Sequence, residues 1–131
     1  MKLPRKPLPK RIVDYFSASR ALKESRKEAL SRKRLIQVNA IARKIALVAE
    51  RKGGFNGLVD AASILIDHGL YSDAARVYEK LANTSQGYSG FYNEAGRFYE
   101  KAGKLKQAIE AYRKSGTPFG LKMARKLSQR I

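Results

Sequence analysis

The residues with the clearest chemical potential in this sequence are its lysines and arginines, and the chemistry they offer is neutralisation of phosphate. They fall in three groups. Lys2, Arg5, Lys6, Lys10 and Arg11 alternate with three prolines; Arg20, Lys23, Arg26, Lys27, Arg32, Lys33 and Arg34 follow between residues 20 and 34; Lys122, Arg125, Lys126 and Arg130 lie among the last residues. A cation held near a phosphate displaces condensed counterions, a gain that needs no contact with base edges. A charge run is ordinarily a solvated helix face, but such a face tends to alternate signs and form pairs four residues apart. Here only Glu24 and Glu28 relieve the run from 20 to 34, and it stands beside an arm of the same sign. The pattern points to a polyanion.

Other chemistry finds little support. His68 is the single histidine, in the segment DHGLYSD; it reads as a solvated turn residue, since catalysis by one histidine still needs oriented partners. Asp60 and Asp67 are seven residues apart on one helix face, too few oxygen ligands for a metal. Gly53, Gly54 and Gly57 lack the lysine pattern of a phosphate-cradling loop. There is no cysteine, hence no disulfide, thiolate metal site or thiol nucleophile. No enzymatic activity, cofactor, metal or small-molecule substrate is expected. Tyr78, Tyr92, Tyr99 and Tyr112 read as core; Tyr88 and Phe91, between the hairpins, offer rings that stack on a base or, more simply, pack between the repeats.

These groups must be mounted on something, and 131 residues suffice for one domain with a real core. The net charge is +17, from 28 basic and 11 acidic side chains. Its distribution is uneven: residues 1–52 carry +12, residues 53–115 carry +1, and residues 116–131 carry +4. A nearly neutral middle is thus flanked by basic segments. The first twenty residues contain no apolar h-region, and Pro4, Pro7 and Pro9 oppose an amphipathic presequence helix. No apolar run approaches the roughly 20 residues of a membrane span. The expectation is a soluble, cytoplasmic protein.

The middle repeats itself. A shift of 34 residues places Gly69 on Gly103, Ala74 on Ala108 and Tyr78 on Tyr112; Leu58 falls on Tyr92, Ala61 on Ala95, Ala62 on Gly96, Leu65 on Tyr99 and Tyr71 on Leu105. Large residues seven apart make one helix face, small Ala62 and Gly96 admit a second helix, and Gly69 and Gly103 suit a helix C-terminus. At these residues the chain resembles the tetratricopeptide repeat family, with two units over about residues 55–118. The second, SGFYNEAGRFYEKAGKLKQAIEAYRKSGTP, carries the landmarks at family spacing; the first, GLVDAASILIDHGLYSDAARVYEKLA, keeps its second half better than its first. Pro118 comes two residues early for the usual end of a unit, and no full third unit follows. The resemblance implies a helical-hairpin fold that presents a binding surface and says little about the partner.

Residues 17–52 contain no proline or glycine, which predicts long helical structure. Val38, Ile41, Ala42, Ile45, Val48 and Ala49 form an apolar stripe for packing, with Gly53 and Gly54 ending the helix. Carried backwards, the stripe meets Arg34, Lys27, Lys23 and Arg20, while Ala18, Leu22 and Ala29 make a thin stripe on another side. Either the helix breaks near 31–34 or it projects from the core. Thr117 or Ser115 can cap a last helix with Pro118 in its first turn, covering the repeats through Phe119, Met123 and Leu127. The expected fold is all-α: antiparallel TPR-like hairpins in two repeats, a preceding long basic helix or helix pair, a C-terminal capping helix and an extended N-terminal arm. The segments are 1–13 (basic, proline-rich arm), 14–54 (basic helical segment) and 55–131 (repeats and cap).

The leading functional expectation is a non-enzymatic RNA-binding protein, its basic flanks resembling those of a ribosomal or ribosome-associated ribonucleoprotein component that contacts rRNA phosphates. The alternative, implied by the family resemblance alone, is a protein-interaction adaptor with a groove lined by Asn56, Val59, Ser63 and Ile66 and by Asn93, Arg97, Glu100 and Lys101. Some members of the family clamp a peptide carboxylate there; Val59, Ser63 and Glu94 depart from that pattern. A DNA-binding or chromatin role ranks third, because duplex DNA offers similar phosphates. A membrane surface ranks last, since residues 17–34 lack the Trp, Phe and Leu stripe of an interfacial helix.

Overall fold

The structure, a computed structural model, describes residues 15–28, 32–84 and 88–131. Among them all regular structure is helical: α1 (Tyr15–Glu28), α2 (Arg32–Asp67), α3 (Tyr71–Thr84), α4 (Gly90–Lys101), α5 (Leu105–Ser115) and α6 (Pro118–Ser128). No described helix is long and apolar enough to cross a membrane. The helices are described up to Glu28 and again from Arg32, so the choice left open near residues 31–34 falls partly on residues 29–31, outside the described residues. Two compact units divide after Gly69, inside the segment expected to hold both repeats.

The first unit contains α1 and α2. Gly54 interrupts α2 with φ 54° and ψ −129°, a left-handed conformation that favours glycine. In a straight helix Ala49 and Gly57 would stand about 12 Å apart along the axis. Instead a Cβ on Gly57 would lie 2.2 Å from the Ala49 carbonyl oxygen. The chain therefore reverses at Gly54, and two arms of α2 lie against each other. The expected stop at Gly53–Gly54 is this reversal, with no loop. The first arm buries Val38, Ala42, Ile45 and Ala49 from the expected stripe; the second buries Leu58, Ala61, Ala62, Ile64 and Leu65. α1 packs on α2 and contributes Leu22 and Ser19 to the interior.

The second unit contains α3 to α6, each packed on the next. Between α3 and α4 the contact is aromatic. Tyr71 stacks on Phe98 at 5.9 Å, Tyr78 on Phe98 at 5.5 Å and Tyr78 on Phe91 at 6.1 Å. Because the start of α3 meets the end of α4, the two helices run in opposite directions. Tyr71–Tyr78 and Phe91–Phe98 are each spaced by seven, so all four rings interleave on facing stripes. Tyr88 meets Phe91 edge-on at 4.9 Å.

α4 ends in a Schellman motif: Lys104 N–H donates to Tyr99 O (2.9 Å) and Gly103 N–H to Glu100 O (3.0 Å), with Gly103 at φ 78°. Thirty-four residues earlier Gly69 has φ 71° and donates to Ile66 O, also at 3.0 Å. The next turns match as well, Ala74 N–H to Leu70 O and Ala108 N–H to Lys104 O at 3.0 Å. The sequence period thus reappears in the backbone.

Of the tyrosines expected in the core, Tyr99 and Tyr112 are buried, whereas Tyr78 and Tyr92 are only partly covered. Tyr112 passes directly over Gly96, where a Cβ would lie 2.8 Å from its ring. The hydroxyls of the buried pair donate to carboxylates: Tyr112 to Glu100 at 3.0 Å and Tyr99 to Glu79 at 2.5 Å. Burial first, and then these carboxylate acceptors, push both phenols well above the ordinary tyrosine range.

α6 begins as expected, with Thr117 as cap and Pro118 in the first turn. Its buried line differs: Gly120, Ala124 and Leu127 face inward, Met123 is partly covered and Phe119 is exposed. The reason is close approach. A Cβ on Gly120 would lie 2.5 Å from the Tyr112 carbonyl and 2.0 Å from Ser115 Oγ. With the helix seated that tightly, the ring of Phe119 turns outward and meets Tyr112 edge-on at 6.1 Å.

Candidate nucleic-acid interface

α1 is amphipathic in a restricted way. Ser19 and Leu22, three residues apart, are buried, and Arg20 and Lys23, the next residue after each, are exposed. What holds this helix is a residue whose expected place was a solvated turn. His68 is fully buried, and its Nε2 lies 3.2 Å from Ser19 Oγ. The correction has a simple cause: His68 occupies the last residue before Gly69, so its backbone belongs to the turn while its ring tucks under α1. A buried polar pair of this kind fixes position, because leaving either group without the other costs its full desolvation. Arg20 is thereby mounted on a helix pinned at its neighbour.

At the start of α2, Arg32 and Lys33 are exposed and Arg34 is half-buried. Arg26 and Lys27 lie within α1. Lys2, Arg5, Lys6, Lys10 and Arg11 lie outside the described residues. The first arm of α2 also exposes Arg43, Lys44, Arg51 and Lys52, cations that the sequence reading missed. The signal was available, as the complement of the Val38–Ala49 stripe.

In the second unit Lys122, Arg125, Lys126 and Arg130 are all exposed. Arg125 and Lys126 stand in the last turn of α6, where cations complement the helix dipole. The acids of this unit are directed elsewhere. Glu79 and Glu100 accept from Tyr99 and Tyr112. Asp73 meets Arg76 at 3.4 Å, Glu94 meets Arg97 at 3.1 Å and Glu110 meets Lys114 at 3.6 Å. Those are all five acidic residues of the unit, and none follows Glu110 in the sequence. The fold occupies its carboxylates within α3 to α5 and leaves α6 with cations alone.

The candidate groove residues divide between α2 and α4. Asn56, Val59 and Ser63 lie on the second arm of α2, Asn56 and Val59 exposed and Ser63 partly so. On α4, Asn93 donates through Nδ2 to Thr117 Oγ1 at 3.0 Å. Arg97 is held by Glu94. The Lys101 ammonium sits over the rings of Tyr71 and Phe98, 5.4 and 5.3 Å from their centroids, a cation–π arrangement. Arg97, Glu100 and Lys101 line an open depression of about 300 Å³. The basic and amide groups expected to line a groove on α4, Asn93, Arg97 and Lys101, are thus each in contact with groups of their own unit.

Comparison with protein-family models and with curated proteins gives no match to this chain.

Proposed function

We propose that this chain is a non-enzymatic RNA-binding protein that contacts phosphates of structured RNA, such as rRNA in a ribosomal or ribosome-associated particle. One observation carries the reading. The acids of the second unit are consumed by tyrosines and neighbouring cations, while Lys122, Arg125, Lys126 and Arg130 face outward on a helix without an anion. In the first unit Arg20, Lys23, Arg32 and Lys33 are exposed in the same sense. Surfaces of one sign held on rigid helices bind a polyanion by counterion release and steer its approach.

The matched turns at Gly69 and Gly103 support a tetratricopeptide-like repeat as the mount. A peptide-binding adaptor draws less support, because Asn93, Arg97 and Lys101 are engaged internally.

The test is charge reversal of Arg20, Lys23, Arg32 and Lys33 together to Glu, with and without reversal of the four α6 cations. RNA co-purification and salt-sensitive sedimentation with ribosomal particles should be lost, with helical circular dichroism unchanged. RNA retention equal to that of the parent chain would overturn the proposal.

A further inference from the structure

The first arm of α2 has a second face that neither its own unit nor the phosphate reading accounts for. Opposite the buried Val38, Ala42, Ile45 and Ala49, it exposes Ile36 and Leu47, which are 63% and 42% accessible, together with Ala40. At 3.6 residues per turn these three fall within about 40° of one another, so they form a single apolar seam. Arg43 flanks the seam on one edge and Lys44 and Arg51 flank it on the other, all exposed. The one acid on this arm, Glu50, is half-buried at the Arg43 edge of the seam.

An apolar seam bordered mainly by cations has the form of a helix surface that pairs with another helix. Phosphate would use Arg43, Lys44 and Arg51 but leave Ile36 and Leu47 unexplained. A second copy of this chain would bring cations against cations, and so would its own Lys- and Arg-rich first residues. Both sets of residues are satisfied by one occupant. We infer that this face docks an amphipathic helix of a partner protein whose own apolar seam is flanked by Asp or Glu. The partner's apolar residues cover Ile36, Ala40 and Leu47, and its carboxylates meet Arg43, Lys44 and Arg51. The seam from 36 to 47 is about 18 Å long, some three turns, which suits a small, salt-sensitive interface. The RNA reading is tested on cations of α1, the start of α2 and α6; of these Lys33 stands on the Lys44–Arg51 side of the seam, so the probe experiment leaves Arg32 and Lys33 unchanged.

The chain contains no tryptophan, so a Trp-bearing probe reports binding without interference. The probe is a synthetic three-heptad helix with Leu at the seam positions and Glu on both flanks; its control carries Lys on the flanks. The full chain should bind the acidic probe, more weakly as salt rises, and should not bind the control. Ile36→Ser with Leu47→Ser should weaken binding by about tenfold or more, as should Arg43→Glu with Lys44→Glu. All four sites are exposed, so circular dichroism should stay unchanged. Failure to bind the acidic probe, or equal binding by the Ile36→Ser/Leu47→Ser chain, overturns the proposal. So does an RNA duplex of about twenty base pairs that displaces the probe and itself loses affinity on the same double substitution.

Discussion

At Tyr112 three effects meet on one ring: full burial, a hydrogen bond to Glu100, and a neighbour that has no side chain. A methyl group at position 96 would enter that ring at 2.8 Å. Gly96→Ala therefore sets an overpacking cost of about 1–3 kcal/mol against a helix-propensity gain of about 1 kcal/mol. The expected outcome is a net loss, read as a lower denaturant midpoint, and Tyr112→Phe should not restore it because the ring remains. Tyr99 and Tyr112 also make the fold sensitive to alkali. Their phenols are raised in the folded state, so the protonated form is favoured there. The unfolded chain ionises first, and stability should be level up to about pH 10 and fall above it. Thermal unfolding followed across that range, with tyrosinate absorbance rising together with unfolding, checks the sign. At this scale the sequence was an uneven guide. The residue types and period that mark Tyr99 and Tyr112 as core were visible, but His68 looked solvated because its partner, Ser19, lies 49 residues away. A contact of that range leaves no local spacing to read.

Helices and their ends were the more legible level. The period of 34 residues, the glycines that end helices, and Thr117 before Pro118 all follow from backbone chemistry local to the turn. Thr117→Ala should cost about 1–2 kcal/mol, as the Gly120 N–H loses its acceptor. Thr117→Ser should recover most of it, and the difference between the two in denaturant titration tests the cap. Gly103→Ala should cost about 1 kcal/mol, since φ 78° strains any other residue. The rotation of α6 that exposes Phe119 was not legible. It depends on how closely Gly120 can approach Tyr112 and Ser115, a matter of tertiary fit and not of helical period. The aromatic contact between α3 and α4 was half-visible: Tyr71 and Tyr78 stood out through the repeat and Phe91 beside Tyr88, whereas Phe98 fell on no landmark.

For the whole molecule the organising quantity is where charge is spent. Seven acids in residues 53–115 leave that span near neutrality, and in the second unit each acid has a structural partner. If phosphates are the ligand, the affinity should fall steeply with salt, and converting the four α6 cations to Ala should reduce the logarithmic salt slope by roughly three to four. A slope that does not change would place the contacts elsewhere. Thr117 adds a mechanical point. Its hydroxyl oxygen accepts from Gly120 N–H and from Asn93 Nδ2, and it lies 3.0 Å from Ser115 Oγ, which donates to Tyr112 O. One side chain thereby joins α4, α5 and α6, and only Gly116 and Thr117 connect the last two. α6 has no slack with which to swing away on its own. Its amides should exchange with solvent deuterium on the timescale of α4 and α5, which makes the four cations fixed points on a stiff body rather than hooks on a loose end.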